Sequence, residues 1–273
     1  MINWLHNFEP RAILFAFGPL QIHWYGLFMV IAILCALFLG LKLAKYYHID
    51  SDKLFDLAFW LIIFGLIGAR IYDDLLQLPY YLAHPLDSIK IWQGGLAIHG
   101  AIIAGLITIY FFARRHKLSL LALISVLLPG LALGQAIGRW GNYFNQEIFG
   151  LPTSLPWGIP IALINRPYAY LSSTYFQPTF LYESLGCFLI FLILLGANIY
   201  LIKKNKLSDF YSVWLIAFYM VSYSILRFSL EFIRLDEAPS FLGLRWPQLM
   251  SLIIIIASVL LLIFNPHAKT KNN

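Results

Sequence analysis

The sequence contains little charge: Asp, Glu, Lys and Arg make up 12% of its 273 residues, while hydrophobic residues make up 60%. A soluble globular domain carries about 25% charged residues. With a mean hydropathy of +0.76, this chain has more apolar surface than one water-facing fold can bury. The composition therefore excludes an ordinary soluble domain and predicts an integral membrane protein solvated by lipid.

Cysteine is also scarce. Cys35 and Cys187 each lie within an apolar run, and they are far apart in the sequence. One such pair gives neither a disulfide framework nor the spacing of a metal site. We therefore interpret both cysteines as small buried hydrophobic residues.

The chain has long apolar runs instead of charge. Seven are long enough to cross a bilayer as helices, which takes about 20 residues each. They lie near residues 22–43, 54–75, 95–113, 119–140, 179–202, 209–232 and 247–265. We predict an all-α integral membrane protein with one polytopic domain over residues 1–273. The proline-rich stretch 141–178, between the fourth and fifth helices, is expected to form an extracytoplasmic insertion.

Lysine is distributed asymmetrically between the loops. Nine of the ten lysines lie in the loops after the first, third and fifth spans or in the C-terminal tail, and Lys90 is the exception. Loops rich in positive charge stay in the cytoplasm. The distribution therefore predicts an N-terminus outside the cytoplasm and a C-terminus inside it.

Arginine has the opposite distribution, since only Arg114 and Arg115 fall on the inferred cytoplasmic side. The seven outer arginines are Arg11, Arg70, Arg139, Arg166, Arg227, Arg234 and Arg245. Topology disfavours cations there, so acidic neighbours or an anionic ligand should compensate them. We favour a phosphate-bearing ligand, because guanidinium holds phosphate through a two-pronged fork.

The sixth span carries charge within an apolar helix. In SYSILRFSLEFIR, Tyr223, Arg227 and Glu231 follow one another at i, i+4 spacing and share a helix face. Ionisable residues inside a span are functional candidates by default. Two interpretations are open: the Arg227–Glu231 pair only neutralises two costly charges, or it also orients the guanidinium for a ligand.

Polar groups from several spans are expected at one depth. In the predicted topology, His99 begins the third span, Arg139 ends the fourth, and Arg227 and Glu231 end the sixth. All of these ends lie at the outer face. We therefore predict that the four residues converge there.

The fourth span ends in the motif GRWGNYFNQE, which begins at Gly138. Glycine recurs every four residues at Gly130, Gly134 and Gly138, a spacing that lets another helix approach closely. The repeat is expected to bring Arg139 and Asn142, adjacent on the helix surface, against a neighbouring span.

Five short segments carry a family resemblance. They are HWYG at 23–26, GGLAIHG at 94–100, GRWGNYFNQEIFG at 138–150, LYE at 181–183 and RFSLEFIR at 227–234. In the order and spacing of these segments the chain resembles the bacterial prolipoprotein diacylglyceryl transferases. The resemblance runs from the first span to the last and implies an enzyme with seven spans, N-out and C-in.

The resemblance also implies an activity and its partners. The family transfers the diacylglyceryl unit of phosphatidylglycerol to the lipobox cysteine thiol of a prolipoprotein and releases glycerol-1-phosphate. This reaction is the first step of bacterial lipoprotein maturation. The expected partners are phosphatidylglycerol, prolipoprotein lipobox peptides and the lipid bilayer of the bacterial cytoplasmic (inner) membrane, with the active site on the extracytoplasmic side. No nucleic acid, metal ion or soluble cofactor is implied.

The same resemblance implies the site residues. The catalytic positions are expected to be His99, Arg139, Glu147, Arg227 and Glu231, and the substrate-binding positions Tyr25, Arg139, Asn142, Gly150, Tyr223 and Arg227. His99 is the first candidate base, because an imidazole titrates near neutral pH, and Glu147 and Glu231 stay open as alternatives. The chain departs from the usual pattern at Asp73 and Asp74, which leaves the role of Arg70 open.

A rival interpretation gives the site no chemistry: an outer-leaflet binder of an anionic lipid, or a transporter. A transporter is expected to gather polar groups near the bilayer midplane, whereas here they gather at the outer helix ends. The sequence contains neither a G-x-S-x-G nucleophile motif nor an H-E-x-x-H zinc motif. Transport and transfer assays separate these classes.

Overall fold

The computed structural model describes residues 2–18 and 20–264. In that part of the chain the α-helices are α1 Ile2–Asn7, α2 Trp24–Ala44, α3 Ser51–Leu76, α4 Leu78–Ala83, α5 Ile98–His116, α6 Leu120–Phe144, α7 Thr179–Lys203, α8 Asp209–Leu230 and α9 Trp246–Ile263. Six short strands pair as three antiparallel two-stranded sheets: β1 Ile13–Phe17 with β2 Leu20–His23, β3 Ile159–Pro160 with β4 Tyr175–Phe176, and β5 Ser240–Phe241 with β6 Leu244–Arg245.

Seven helices of the described chain are long and apolar enough to cross a membrane, namely α2, α3, α5, α6, α7, α8 and α9. They contain 18 to 26 residues, which at about 1.5 Å per residue spans a hydrocarbon core of about 30 Å. The prediction of an all-α membrane protein with seven spans is confirmed. The N-out, C-in orientation stays a prediction. Residue 265, the predicted end of the seventh span, and the tail lysines lie outside the described residues.

Two helix ends near the expected site differ from the predictions. α6 continues to Phe144, so the first seven residues of GRWGNYFNQE are helical. α5 begins at Ile98 rather than near residue 95. The reason is that Gly94 and Gly95 have φ angles of 96° and 71°, in a region that glycine adopts readily and a right-handed helix does not contain.

The described chain divides into two compact units. The first contains the residues up to Leu39 and from Leu127 onward, and within it α8 packs against both α7 and α9. The second runs from Gly40 to Val126, and within it α3 packs against α5. The expectation of one polytopic domain over residues 1–273 stays a prediction.

The glycine repeat of α6 is only partly a packing device. A Cβ atom added at Gly130 would lie 2.9 Å from the Cα of Ala36, so α2 and α6 approach closely there. At Gly134 the nearest atom would be 3.8 Å away, an ordinary contact. At Gly138, apart from its chain neighbours and the nearby backbone of α6, no heavy atom of the described chain lies within 4 Å of an added Cβ, so the prediction is wrong at that position.

The connection from α6 to α7 has its own packed core. Phe149 and Phe176 of this segment are buried together with Tyr143 of α6 and Phe180 of α7. The Tyr143 and Phe180 rings stack with their centroids 4.5 Å apart. This core holds the chain that follows α6 against the ends of both helices. Its extracytoplasmic location stays a prediction.

Candidate active site

The polar site of the first unit begins at the end of α6. Arg139 and Asn142 are three residues apart on one helix surface, and Nη1 of Arg139 donates a 3.0 Å hydrogen bond to Oδ1 of Asn142. Nδ2 of Asn142 in turn donates a 2.7 Å bond to Oε1 of Glu147. The chain turns at Glu147, whose two neighbours, Gln146 and Ile148, have positive φ angles. The turn of GRWGNYFNQE therefore places Glu147 beside its own helix.

Glu183, near the start of α7, connects this group to α8. Its carboxylate accepts a 2.7 Å hydrogen bond from Nη2 of Arg139 and a 3.2 Å bond from the hydroxyl of Tyr223. Its second oxygen lies 3.7 Å from Nη1 of Arg234. A carboxylate with 1% of its side chain exposed needs such partners, because an unpaired buried charge is strongly destabilising.

Glu231 is the second buried carboxylate. Its oxygens lie 2.5 Å from Nη1 of Arg227 and 3.2 Å from Nε of Arg245. The predicted i, i+4 pair between Arg227 and Glu231 is therefore present. Within the described chain these oxygens are held by ion pairs and accept no hydrogen bond of good geometry. The charge is balanced, while some hydrogen-bonding capacity is left over.

Arg234 joins the two carboxylates and is itself held by Asp236. Its Nε and Nη2 donate to the two oxygens of Asp236 at 2.7 and 2.9 Å. Burial disfavours the charged form of Asp236. The hydrogen bonds from Arg234 and the charges of the surrounding arginines outweigh that effect, so the pKa of Asp236 lies below its usual range. Asp236 thereby takes two of the five N–H donors of Arg234.

In the two central ion pairs of the cluster the carboxylate is the more buried partner. The side chains of Glu183 and Glu231 are 1% and 0% exposed, whereas those of Arg139 and Arg227 are 20% and 16% exposed. The whole network is formally neutral, since it contains Arg139, Arg227, Arg234 and Arg245 together with Glu147, Glu183, Glu231 and Asp236. Its accessible side carries both signs, because Glu147 and Asp236 are also accessible there, and its arginines can bind an anion.

Two other expected positions of the first unit have clear packing roles. Tyr25 lies against Gly141, where an added Cβ would come 2.6 Å from a carbon of its ring. At Gly150 an added Cβ would lie 2.9 Å from the side chain of Thr179 and 3.0 Å from the carbonyl oxygen of Ile233. Binding of substrate by either position stays a prediction.

His99 belongs to the second unit. It is the second residue of α5, its side chain is exposed, and its ring centroid lies 5.8 Å from that of Tyr72. Arg139, Asn142, Glu147, Tyr223, Arg227 and Glu231 all belong to the first unit and are brought together there. The convergence of His99 with them stays a prediction.

Glu183 entered the sequence analysis only as part of the segment LYE and was not included among the site residues. Its position could have marked it, because it is the one carboxylate in a predominantly apolar helix of 25 residues. By the rule for intramembrane charge this alone made it a candidate. Asp236 gave no such signal, since it lies in a connection where acidic residues are ordinary.

Fold and site together define a polytopic membrane protein with an arginine-bearing polar cluster at the ends of its helices, the arrangement expected of a protein that handles an anionic group in a membrane. The chain belongs to the prolipoprotein diacylglyceryl transferase family, whose sequence model matches residues 12–264. The family resemblance drawn from the five segments is thereby confirmed.

Individual relatives agree. The chain is 41% identical over 259 residues to the phosphatidylglycerol–prolipoprotein diacylglyceryl transferase of Synechococcus elongatus, covering 94% of this chain and 88% of the relative. It is 43% identical over 253 residues to the protein of the same name from Acaryochloris marina, covering 92% and 89%. The Synechocystis protein of that name is 40% identical over 249 residues, covering 91% and 87%.

Proposed function

We propose that this chain transfers the diacylglyceryl group of phosphatidylglycerol to the lipobox cysteine thiol of prolipoproteins. Membership of the family and the names of the relatives support this assignment. The observation that carries it in the structure is that Arg139 and Arg227 pair with buried carboxylates while their own side chains stay partly exposed. Such a surface suits the phosphate of an anionic lipid.

The reaction is a displacement at carbon. The cysteine thiol loses its proton. The thiolate then attacks the carbon of the diacylglyceryl unit that is bonded to the phosphate ester oxygen. A carbon–sulfur bond forms, the carbon–oxygen bond breaks, and its electron pair stays on the phosphate oxygen. The products are the thioether-linked prolipoprotein and glycerol-1-phosphate, and the thiol proton balances the charge gained by the phosphate.

The arginines have the electrostatic role in this proposal. Arg139 and Arg227 hold the phosphate and stabilise the charge that gathers on the leaving oxygen, an effect worth about 3–4 kcal/mol for a well-placed donor. Glu147 and Glu231 hold neighbouring groups, through Asn142 and Arg227 respectively. Tyr25, Asn142 and Tyr223 orient the headgroup or the arginines.

His99 is proposed to be the base that takes the thiol proton. A thiol with its ordinary pKa of about 8.5 is mostly protonated at neutral pH, so the reaction needs a base that takes up the thiol proton. His99→Gln should abolish transfer while binding of phosphatidylglycerol survives. Substantial turnover by that variant, assayed in detergent with a lipobox peptide, would remove His99 from this role.

The decisive experiment measures transfer of radiolabelled diacylglycerol from phosphatidylglycerol to a lipobox peptide by purified wild type and Arg139→Ala. Label on the peptide cysteine with wild type alone supports both the activity and the role of the cluster. Arg114→Ala, which changes an exposed arginine of the other unit, is the matched control and should retain activity. Equal transfer by wild type and Arg139→Ala would make Arg139 a packing residue. No transfer by folded wild type would refute the proposed function.

The protein is proposed to act in the bacterial cytoplasmic membrane with its site on the outer side. The lysine distribution supports an N-out, C-in orientation. Cysteines introduced singly at Glu237 and at Asn205 test it by labelling with an impermeant thiol reagent in intact spheroplasts. Only the cysteine at position 237 should react. Labelling of the cysteine at position 205 instead would indicate the opposite orientation, N-in and C-out.

A further inference from the structure

Arg70 is buried near the end of α3, and backbone carbonyl groups surround its guanidinium. Nε donates a 2.8 Å hydrogen bond to the carbonyl of Ser88, and Nη2 donates to the carbonyl of Asp87. Nη1 donates two bonds of 2.9 Å each, to the carbonyls of Gly94 and Gly95. Four carbonyl groups of the connection between α4 and α5 thus converge on one side chain, using four of its five N–H donors.

The charge of Arg70 is also compensated within the second unit. Oδ1 of Asp74 lies 3.2 Å from Nε, and the Tyr81 ring lies 4.8 Å from Cζ. The hydroxyl of Tyr81 donates a 3.1 Å bond to Asp73, which fixes the ring in place. The two aspartates that distinguish this sequence therefore belong to the surroundings of Arg70. An arginine with these partners has little left to offer a phosphate.

The segment that Arg70 holds leads directly into the helix of His99. The first N–H groups of a helix lack partners unless a cap supplies them, and Ala97, which precedes α5, makes no side-chain cap. The helix start is held from α3 instead: the N–H of Ala97 donates to the carbonyl of Ala69 at 3.0 Å. The bonds from Arg70 hold the preceding residues from the same helix.

The backbone is held in place both before and after His99 in the sequence. On one side, a Cβ atom at Gly95 would lie 2.4 Å from Nη1 of Arg70, so the turn fits around the guanidinium without room for a side chain. On the other side, a Cβ atom at Gly100 would lie 2.0 Å from the carbonyl oxygen of Gly68, so α5 and α3 are in backbone contact. The contact at Gly100 fixes the position of α5 relative to α3. The contact at Gly95 fixes the path of the backbone that leads into α5.

We propose that Arg70 is a positioning residue for the transfer reaction: it anchors the Gly94–Gly95 turn to α3 and so sets the location of His99, without binding substrate. The inference rests on the proposed function, in which His99 is the base. It differs from the phosphate-binding role proposed for Arg139 and Arg227. An ammonium cannot bond four carbonyls in this planar arrangement, so lysine cannot replace Arg70.

Two measurements on full-length purified protein test the proposal. Amide hydrogen exchange over residues 94–100 reads the anchor directly, and Arg70→Lys should reduce protection there at least about tenfold while residues 104–112 of α5 stay unchanged. In the transfer assay, the same variant should lower kcat about ten- to hundredfold, because a small misplacement of a catalytic group is costly. Its KM for phosphatidylglycerol should stay within about twofold.

Gly95→Ala provides a second variant that keeps every charge. Its Cβ should displace the guanidinium and reproduce both effects. Gly65→Ala on α3 should reproduce neither, because, apart from the chain neighbours of Gly65 and the nearby backbone of α3, no heavy atom of the described chain lies within 4 Å of an added Cβ there. Arg114→Lys is the control for the arginine change. A raised KM with unchanged kcat would make Arg70 a ligand contact and overturn the proposal. Unchanged exchange protection, or loosened exchange with full kcat, would overturn it as well.

The exchange measurement does not depend on activity. If wild type transferred no diacylglycerol, the proposed function would fail, and the kinetic part of the inference with it. Exchange would then still report whether Arg70 anchors the turn. If wild type is active and the anchor is intact in Arg70→Lys, the positioning role alone fails.

Discussion

The two units of this protein treat a buried arginine in different ways. Arg70 is surrounded by four carbonyl groups and a carboxylate, which use nearly all of its donors. Arg139 and Arg227 pair with carboxylates more buried than they are, and their own side chains stay 20% and 16% exposed. Burial and acidic neighbours are common to both places. The two places differ in the number of N–H donors that the protein's own acceptors leave over. This number separates an arginine that can bind a ligand from one that holds the backbone.

The largest effect in this comparison is expected at Glu183. Glu183→Gln leaves Arg139 and Arg234 without a shared counter-charge, and breaking a buried ion pair from one side costs about 3–5 kcal/mol. Thermal and denaturant unfolding in detergent should show this loss. Glu237→Gln, at an exposed position, is the control. A change of less than about 1 kcal/mol for Glu183→Gln would mean that the arginines do not depend on this carboxylate.

The next effect is expected in catalysis. Arg139→Lys keeps the charge but cannot bond Asn142 and Glu183 while presenting a fork to phosphate. Transfer of radiolabelled lipid should fall about 10²- to 10³-fold, and Arg114→Lys should change it little. Near-normal transfer by Arg139→Lys would rule out two-pronged binding of phosphate and remove the contrast with Arg70.

A matched pair of glycines in the GRWGNYFNQE motif gives a smaller effect. Gly141→Ala drives a methyl group into Tyr25 and should cost about 1–3 kcal/mol of stability. Gly138→Ala has open space and should stabilise α6 by up to about 1 kcal/mol, since alanine favours helix. Unfolding curves of the two variants measure the difference. Equal stabilities would contradict the close packing of Tyr25.

The smallest effect concerns pH. The pKa of Asp236 is lowered in the folded protein, so its ion pair contributes stability above the unfolded carboxyl pKa of about 3.9, and that stability is lost as pH falls through the folded value. Asp236→Asn should lower the free energy of unfolding by about 1 kcal/mol at pH 7. The difference from wild type should vanish in strong acid. A difference that persists there would assign the effect to packing.

The sequence contained enough information for the spans and for part of the cluster. Apolar length predicts helices without knowledge of their neighbours, and i, i+4 spacing alone places Arg227 beside Glu231. Pairings between helices were not predictable in this way. The bond from Arg139 to Glu183 joins residues 44 positions apart, and only the packing of α6 against α7 decides it.

The errors also have physical reasons. The four-residue glycine repeat predicts a close helix neighbour, but the spacing does not say which turns of α6 that neighbour contacts. Gly138 lies outside the contact, whereas Gly141, which is not part of the repeat, lies against Tyr25 of α2. The acidic neighbours of Arg70 were visible in the sequence, whereas its four carbonyl partners were not, because backbone acceptors leave no trace in the identity of a residue.

The charge balance of the arginine cluster has a consequence for how lipid reaches it. Equal numbers of opposite charges leave no net charge, and the field of such a neutral group falls off more steeply with distance than that of a net charge. The cluster therefore attracts an anion at contact but does not draw it from afar. Capture of phosphatidylglycerol is then governed by lateral diffusion within the leaflet, and the rate of encounter should depend only weakly on ionic strength, unlike that of electrostatically steered enzymes.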